Sequence, residues 1–161
     1  MRALTITPFL LLSLLLVMPS YSADFDKGLT SANNGDFATA LKEFKPIAEQ
    51  GSASAQYYLG QLYFYGLGAL QNYNEAARYL KLAAEQGFTP AQFDLGKMYY
   101  YGDGVDQDYV YAFMWWEIAD INGFDEANKT KTMFYEEKIS PQIDEGQNLA
   151  EECIKKNYTD C

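Results

Sequence analysis

The stretch AQYYLGQLYFYG at residues 55–66 returns, nearly unchanged, as AQFDLGKMYYYG at residues 91–102. A chain that rewrites itself at a fixed spacing of 36 residues builds from units too small to enclose an interior of their own, so each copy must bury its apolar surface against the next. The register is long. Ala55, Leu59, Gly60, Tyr63, Gly66 and Gly68 meet Ala91, Leu95, Gly96, Tyr99, Gly102 and Gly104, and further on Tyr73, Ala76, Ala83 and Gly87 meet Tyr109, Ala112, Ala119 and Gly123.

The array weakens towards both ends. Upstream, Phe37, Ala40, Phe44, Ala48 and Gly51 keep the offset to Tyr73, Ala76, Leu80, Ala84 and Gly87, whereas Gly28 precedes Gly60 by only 32 residues. Downstream, Ala127 and Tyr135 still follow Ala91 and Tyr99 by 36, but Asn157 and Cys161 follow Gly123 and Ala127 by 34. Terminal units have a neighbour on one side only, and this decay is what capping requires.

Each half-unit has helical periodicity: Ala55, Leu59, Leu62 and Tyr63 recur at helical spacing, as do Tyr73, Ala76, Ala77, Leu80 and Ala84. Gly51, Gly87, Gly123 and Asn157 fall just past the expected helix ends, where a left-handed residue closes the last turn. Ser140-Pro141 reads as a helix start. Gly60 and Gly96, opposite Ala76 and Ala112, remove bulk so that the two helices of a pair can approach, with Tyr63 and Tyr99 filling space beside the crossing. The expected fold is all-α: a stack of antiparallel helix pairs, about eight helices in all. In "YAFMWWEIAD", Trp116 aligns with Leu80 and Phe44 and is expected in the core; Trp115 aligns with Tyr79 and is expected half-buried.

Ahead of the repeats, "MRALTITPFLLLSLLLVMPSYS" carries one basic residue, an apolar run from Phe9 to Met18, and small residues Ser20 and Ser22. It reads as a secretory signal cleaved after Ser22, its apolar run being shorter than the roughly 20 residues of a membrane span, with an uncleaved membrane anchor as the alternative. With 22 acidic against 12 basic side chains and a formal net charge of −10, the chain repels phosphate backbones and anionic lipid, so nucleic acid is not an expected partner. No histidine is present, which removes the commonest proton shuttle and metal ligand.

The segment from Ala91 to Ala127, with its Leu-Gly, Tyr, Gly-x-Gly-Val, Asp and Ala in order, resembles the Sel-one-like repeat, a relative of the tetratricopeptide repeat with a longer connecting loop. Asp120 replaces the usual second Ala, and Ala69 stands where Val105 stands in the next unit. The opening unit, "FDKGLTSANNGDFATALKEF", is closer to the shorter tetratricopeptide form. The resemblance implies a right-handed α-solenoid of antiparallel helix pairs. It divides the chain into a signal segment (1–22) and a repeat domain (23–161): an opening unit at 23–52, full repeats at 53–88 and 89–124, and a degenerate cap at 125–161.

The resemblance further implies an adaptor for proteins or peptides, with the first helix of each pair lining a concave face. Setting aside Leu59, Gly60 and Tyr63 as packing positions leaves Ser54, Tyr57, Gln61, Phe64 and Tyr65 on the neighbouring face; the next unit offers Phe93, Lys97, Tyr100 and Tyr101, and the opening unit Phe25 and Leu29. Of these, Tyr57, Gln61, Tyr65, Phe93, Lys97, Tyr100 and Tyr101 are the candidate partner-binding residues, Tyr65 and Tyr101 foremost. Lys97 also reads as a solvated charge, and rings at helical spacing also read as core packed against the adjacent pair; the sequence leaves both alternatives open.

Catalytic machinery is not visible. The loops "GLGAL" and "GDGVD" have no following Lys-Ser or Lys-Thr, and Asp103, Asp106 and Asp108 lack the central glycine and closing glutamate of a calcium loop. No cofactor or metal is expected. Cys153 and Cys161 lie on either side of the Asn157 turn, and an exported chain meets an oxidising compartment, so a disulfide is expected there, with two free thiols as the alternative. Asn128 and Asn157 begin Asn-x-Thr sequons. The leading functional expectation is an exported, non-catalytic scaffold that binds a protein or peptide. The alternative, from the likeness to the cysteine-rich secreted branch of the family, is a cell-wall-related hydrolase or ligand-binding protein, β-lactamase-like or peptidoglycan-binding.

Overall fold

The computed structural model describes residues 21–136 and 140–161, and side chains over 24–133 and 141–161. All but two residues of the expected signal segment therefore lie outside it; Tyr21 and Ser22 open the first helix. Eight helices follow one another among the described residues, with no strand: α1 (Tyr21–Asn33), α2 (Phe37–Glu49), α3 (Ala53–Tyr65), α4 (Tyr73–Ala84), α5 (Thr89–Tyr101), α6 (Tyr109–Ile121), α7 (Asp125–Glu136) and α8 (Ser140–Lys155).

Local chemistry fixes the ends. Asp36, Ser52, Asn72 and Asp108 cap their helices by accepting from the backbone N–H groups of Thr39, Ala55, Glu75, and Val110 with Tyr111. Asn157, at φ 53°, adopts the left-handed turn after α8 that its position in the repeat predicts.

Helices pair as α1 with α2, α3 with α4 and α5 with α6, and each second helix packs on the first helix of the next pair. The small-residue crossings are real close approaches. A Cβ placed on Gly60 would lie 3.0 Å from Leu80 Cγ and 3.4 Å from the Ala76 carbonyl oxygen, and one on Gly96 would lie 2.6 Å from the Trp116 indole and 3.0 Å from the Ala112 oxygen. Tyr63 stacks on Tyr79 and Tyr99 on Tyr111, beside those crossings. Between units, the loop glycines do the same work: a Cβ on Gly68 would meet the Phe37 carbonyl at 2.4 Å, and one on Gly104 the Tyr73 carbonyl at 2.2 Å. Each loop thus sits on the start of the preceding unit's second helix, and a side chain there would push the units apart.

The core runs along the array as linked clusters. Phe44, Leu59, Leu62 and Tyr79 form the first; Leu80, Leu95, Met98, Met114, Trp115 and Ile118 the central one; Phe113, Trp116 and Ile143 a third. Two buried glutamines, themselves one repeat apart, stitch the units together through polar contacts. Gln56 Nε2 donates to the Ala48 carbonyl and Gln92 Nε2 to that of Ala84, both at 3.1 Å, while Gln86 and Asn122 donate to the Oε1 atoms of Gln56 and Gln92. The last-turn carbonyls of Ala48 and Ala84, which already accept from the N–H groups of Gly51 and Gly87, thus take a further donor from the next unit.

One expectation is corrected at the C-terminal end. Trp115, expected half-buried, is 1% exposed, because α8 lies against α6 and contributes Ala150 and Cys153 to the cluster that holds it. Gly146 makes that contact possible: a Cβ there would meet Phe113 Cβ and the Val110 oxygen, both at 2.9 Å. The Cys153–Cys161 disulfide closes the tail beyond α8, with the Cα atoms 5.4 Å apart.

Candidate functional site

The first helices α3 and α5 diverge enough to leave a cavity of about 330 Å³ between them, and a second of about 290 Å³ adjoins it towards α7. Helical spacing explains the lining. Tyr65 and Tyr101 end their helices one repeat apart, at positions the Gly60 and Gly96 crossings do not use, and they are 58% and 65% exposed. Gln61, Phe64, Tyr65, Lys97 and Tyr101 line the first cavity over a floor from Leu80 and Met98. Phe93, Lys97, Tyr100 and Tyr101 line the second, with Trp116, Thr130 and Met133. Lys97 and Tyr101 therefore separate the two.

Six of the seven residues singled out in the sequence are brought to this pair of cavities. Tyr57 is the exception. It lines neither, and its half-buried ring packs on Phe88 and Tyr58 at centroid distances of 5.2 and 5.5 Å. Burial first, then the nearby Asp94 carboxylate, push its phenol up to about 12. Phe93 and Tyr100 are walls held by neighbours: Phe93 packs on Phe124 at 5.0 Å, and Tyr100 touches Tyr101, Tyr109 and Trp116. Of the remaining first-helix candidates, Phe25 packs on Phe44 and Tyr58, and Leu29 on the first cluster.

Asp94 organises the floor between α3 and α5, and the sequence reading did not single it out. It accepts from Gln61 Nε2 and from Lys97 Nζ, the latter at 3.1 Å, and its charge acts on the nearby Tyr57 phenol. Lys97 is thus an ion-paired wall residue whose side chain is still 40% exposed, and its ammonium lies 5.6 Å from the Phe93 ring centroid. The signal for Asp94 was present at the offset, since it replaces Tyr58 of the preceding unit with a carboxylate. Asp103 lines the first cavity too, partly buried, and no side-chain hydrogen bond or ion pair engages its carboxylate among the described residues.

Among the described residues no group of His, Cys, Asp or Glu is arranged to hold a metal ion, and no helix is long and apolar enough to cross a membrane. What remains is a surface with aromatic and charged hollows between repeated helices.

A row of helical hairpins that bury their apolar faces on one another and leave hollows between their first helices defines an α-solenoid repeat protein. The chain carries two Sel1 repeats, at residues 53–88 and 89–119. Its fold is similar to that of a protective antigen present in uropathogenic Escherichia coli strains that displays an SLR fold, at 26% identity and a TM-score of 0.79 over 87% of this chain and 32% of the other. It is also similar to a Sel1 repeat protein from Oxalobacter formigenes, at 31% identity and a TM-score of 0.70 over 74% of this chain and 36% of the other. The chain thus spans about a third of the length of these solved relatives. No curated protein matches it. The Sel1 repeat fold suggests a protein-interaction scaffold.

Proposed function

We propose that this chain is an exported, non-catalytic scaffold that binds a protein or peptide segment in the hollows along α3, α5 and α7. Residues 1–22 direct export, the opening unit (23–52) and the cap (125–161) flank the two repeats, and the disulfide suits an oxidising compartment. Tyr65, Tyr101, Lys97 and Gln61 make the contacts; Phe93 and Tyr100 form walls, and Tyr57 supports Asp94 from behind.

The observation that carries this reading is the exposure of Tyr65 and Tyr101 over adjoining cavities, at equivalent positions in successive repeats. Large, stiff rings with a polar tip give contact area at small entropic cost, and core packing would have buried them. The test is site-specific photocrosslinking in the native compartment from residue 65 or 101, with a probe at Lys42 on α2 as control. Partners that crosslink from the first two positions alone, and whose affinity capture by the chain without a probe is lost on Tyr65→Ala/Tyr101→Ala with helicity and melting unchanged, support it. Equal crosslinking from all three sets it aside. N-terminal sequencing of the exported chain should begin at Ala23, and β-lactams and peptidoglycan fragments should not be turned over.

A further inference from the structure

Resting on that reading, we infer that the cavity between α3 and α5 takes an arginine side chain of the bound polypeptide. The charge on its walls selects the cation. Asp94 and Lys97 neutralise each other through their 3.1 Å ion pair, which leaves Asp103 as the one uncompensated charge lining the hollow among the described residues. A partly buried carboxylate without a partner is poised to accept a charge-assisted hydrogen bond, and the chain around it carries a net charge of −10, which draws cationic segments inward.

The walls select the shape. Phe64, Tyr65 and Tyr101 line it with aromatic rings, over a floor from Leu80 and Met98. A guanidinium is planar and weakly hydrated: it stacks on such rings while its N–H fork meets a carboxylate in bidentate geometry, and its methylene stem packs on the apolar floor. Lysine, a compact and strongly hydrated point charge, uses neither the stacking nor the fork. Among the described residues the adjoining cavity has no carboxylate in its lining and is mostly aromatic and apolar, so it receives an apolar side chain from the same segment.

The experiment uses a display library of random dodecapeptides, panned on the mature protein. Enriched peptides are then measured by fluorescence anisotropy, and their contact point is mapped by crosslinking from residue 65. Enrichment of arginine, with affinity falling about tenfold on Asp103→Asn, on Arg→Lys in the peptide and on raising the salt, supports the inference. Asp106→Asn, a change to an exposed loop carboxylate outside this cavity, should leave binding unaltered. Peptides that crosslink at residue 65 but lack arginine, or that ignore Asp103→Asn, overturn the arginine assignment while the groove reading stands. Absence of any peptide at the groove overturns both. Circular dichroism of Asp103→Asn and Asp103→Glu confirms that loss of binding is not loss of fold.

Discussion

Lys131 reaches back from α7 to Asp120 at the end of α6, with Nζ 2.6 Å from Oδ2, and meets Glu117 at 2.7 Å on the same helix. It stands at the repeat position of Leu59 and Leu95, both in the core, and is itself only 6% exposed. The last interface between units has exchanged a hydrophobic contact for an ionic one. Asp120, where the family pattern has alanine, is half of that exchange, and Asn128 donates to it as well.

Removing one member should therefore cost more than removing the set. Lys131→Met leaves two partly buried carboxylates side by side and is expected to destabilise by about 2 kcal/mol, below the 3–5 kcal/mol typical of a fully buried pair. Asp120→Ala/Lys131→Leu rebuilds the alanine–leucine contact of the earlier units and should return to within about 1 kcal/mol of wild type. Urea denaturation of the wild type and the two variants decides it.

The same cluster predicts a pH profile. Burial alone would raise the Asp120 pKa, but hydrogen bonds from Lys131 and Asn128 and the charge of Lys131 hold it below its ordinary 3.8. Its stabilisation is present above that value and is lost as pH falls through the lower folded one. Burial alone would depress Lys131, but its bonds to Asp120 and Glu117, and their charges, raise it above 10.5, so its contribution is full below 10.5 and is lost as pH rises through the higher folded value. The difference in Tm between wild type and Asp120→Ala/Lys131→Leu should be flat from about pH 5 to 9, shifting in favour of the variant at both extremes. A constant difference across the whole range would contradict this account.

The two helix crossings should respond unequally to a single methyl group. Gly96→Ala drives a Cβ into the Trp116 indole, which is buried and hydrogen-bonded from Nε1 to the Phe93 carbonyl at 3.1 Å, so the ring can yield only by giving up that bond. We expect a loss of about 2–3 kcal/mol. Gly60→Ala meets Leu80 Cγ and Cδ2 at 3.0 and 3.1 Å, contacts relieved by a shift of about a few tenths of an ångström, and the gain in helix propensity of about 1 kcal/mol offsets much of the strain. Chemical denaturation of the two variants should separate them by more than 1 kcal/mol.

Reduction of Cys153–Cys161 should be felt mainly at one end. The bridge spans 8 residues, a short loop whose closure is worth about 2 kcal/mol on the chain-entropy account. It also holds Tyr158, itself at φ 64°, against the repeat turns: the ring would lie 3.2 Å from a Cβ on Gly87, and its hydroxyl is 3.2 Å from Asn122 Oδ1. Hydrogen exchange after reduction should quicken at the end of α8 and leave α3 to α5 unaffected. The oxidised chain should weigh two hydrogens less than the reduced one.

Much of the architecture was legible because a repeated sequence states its own register. Gly60 and Gly96 could be assigned to crossings, and Gly51, Gly87, Gly123 and Asn157 to turns, since each needs only local geometry and the offset; whether the rings of Tyr65 and Tyr101 were core or groove was left open. Gln56 and Gln92 were equally repeated and still went unnoticed: a glutamine reads as surface until the carbonyls of Ala48 and Ala84 are seen to lie behind it.

The sequence by itself determined the helices, their order, the pairing of the first six and the need for neighbours, because these follow from spacing and side-chain volume within about one unit. Only the tertiary structure decided that α8 covers α6 and buries Trp115, that Lys131 exchanges a leucine contact for two carboxylates, and that Asp94 is engaged while Asp103 is not. Those outcomes depend on which groups from distant segments meet in space, and at the last unit, where the repeat falters, no neighbouring copy announces the answer.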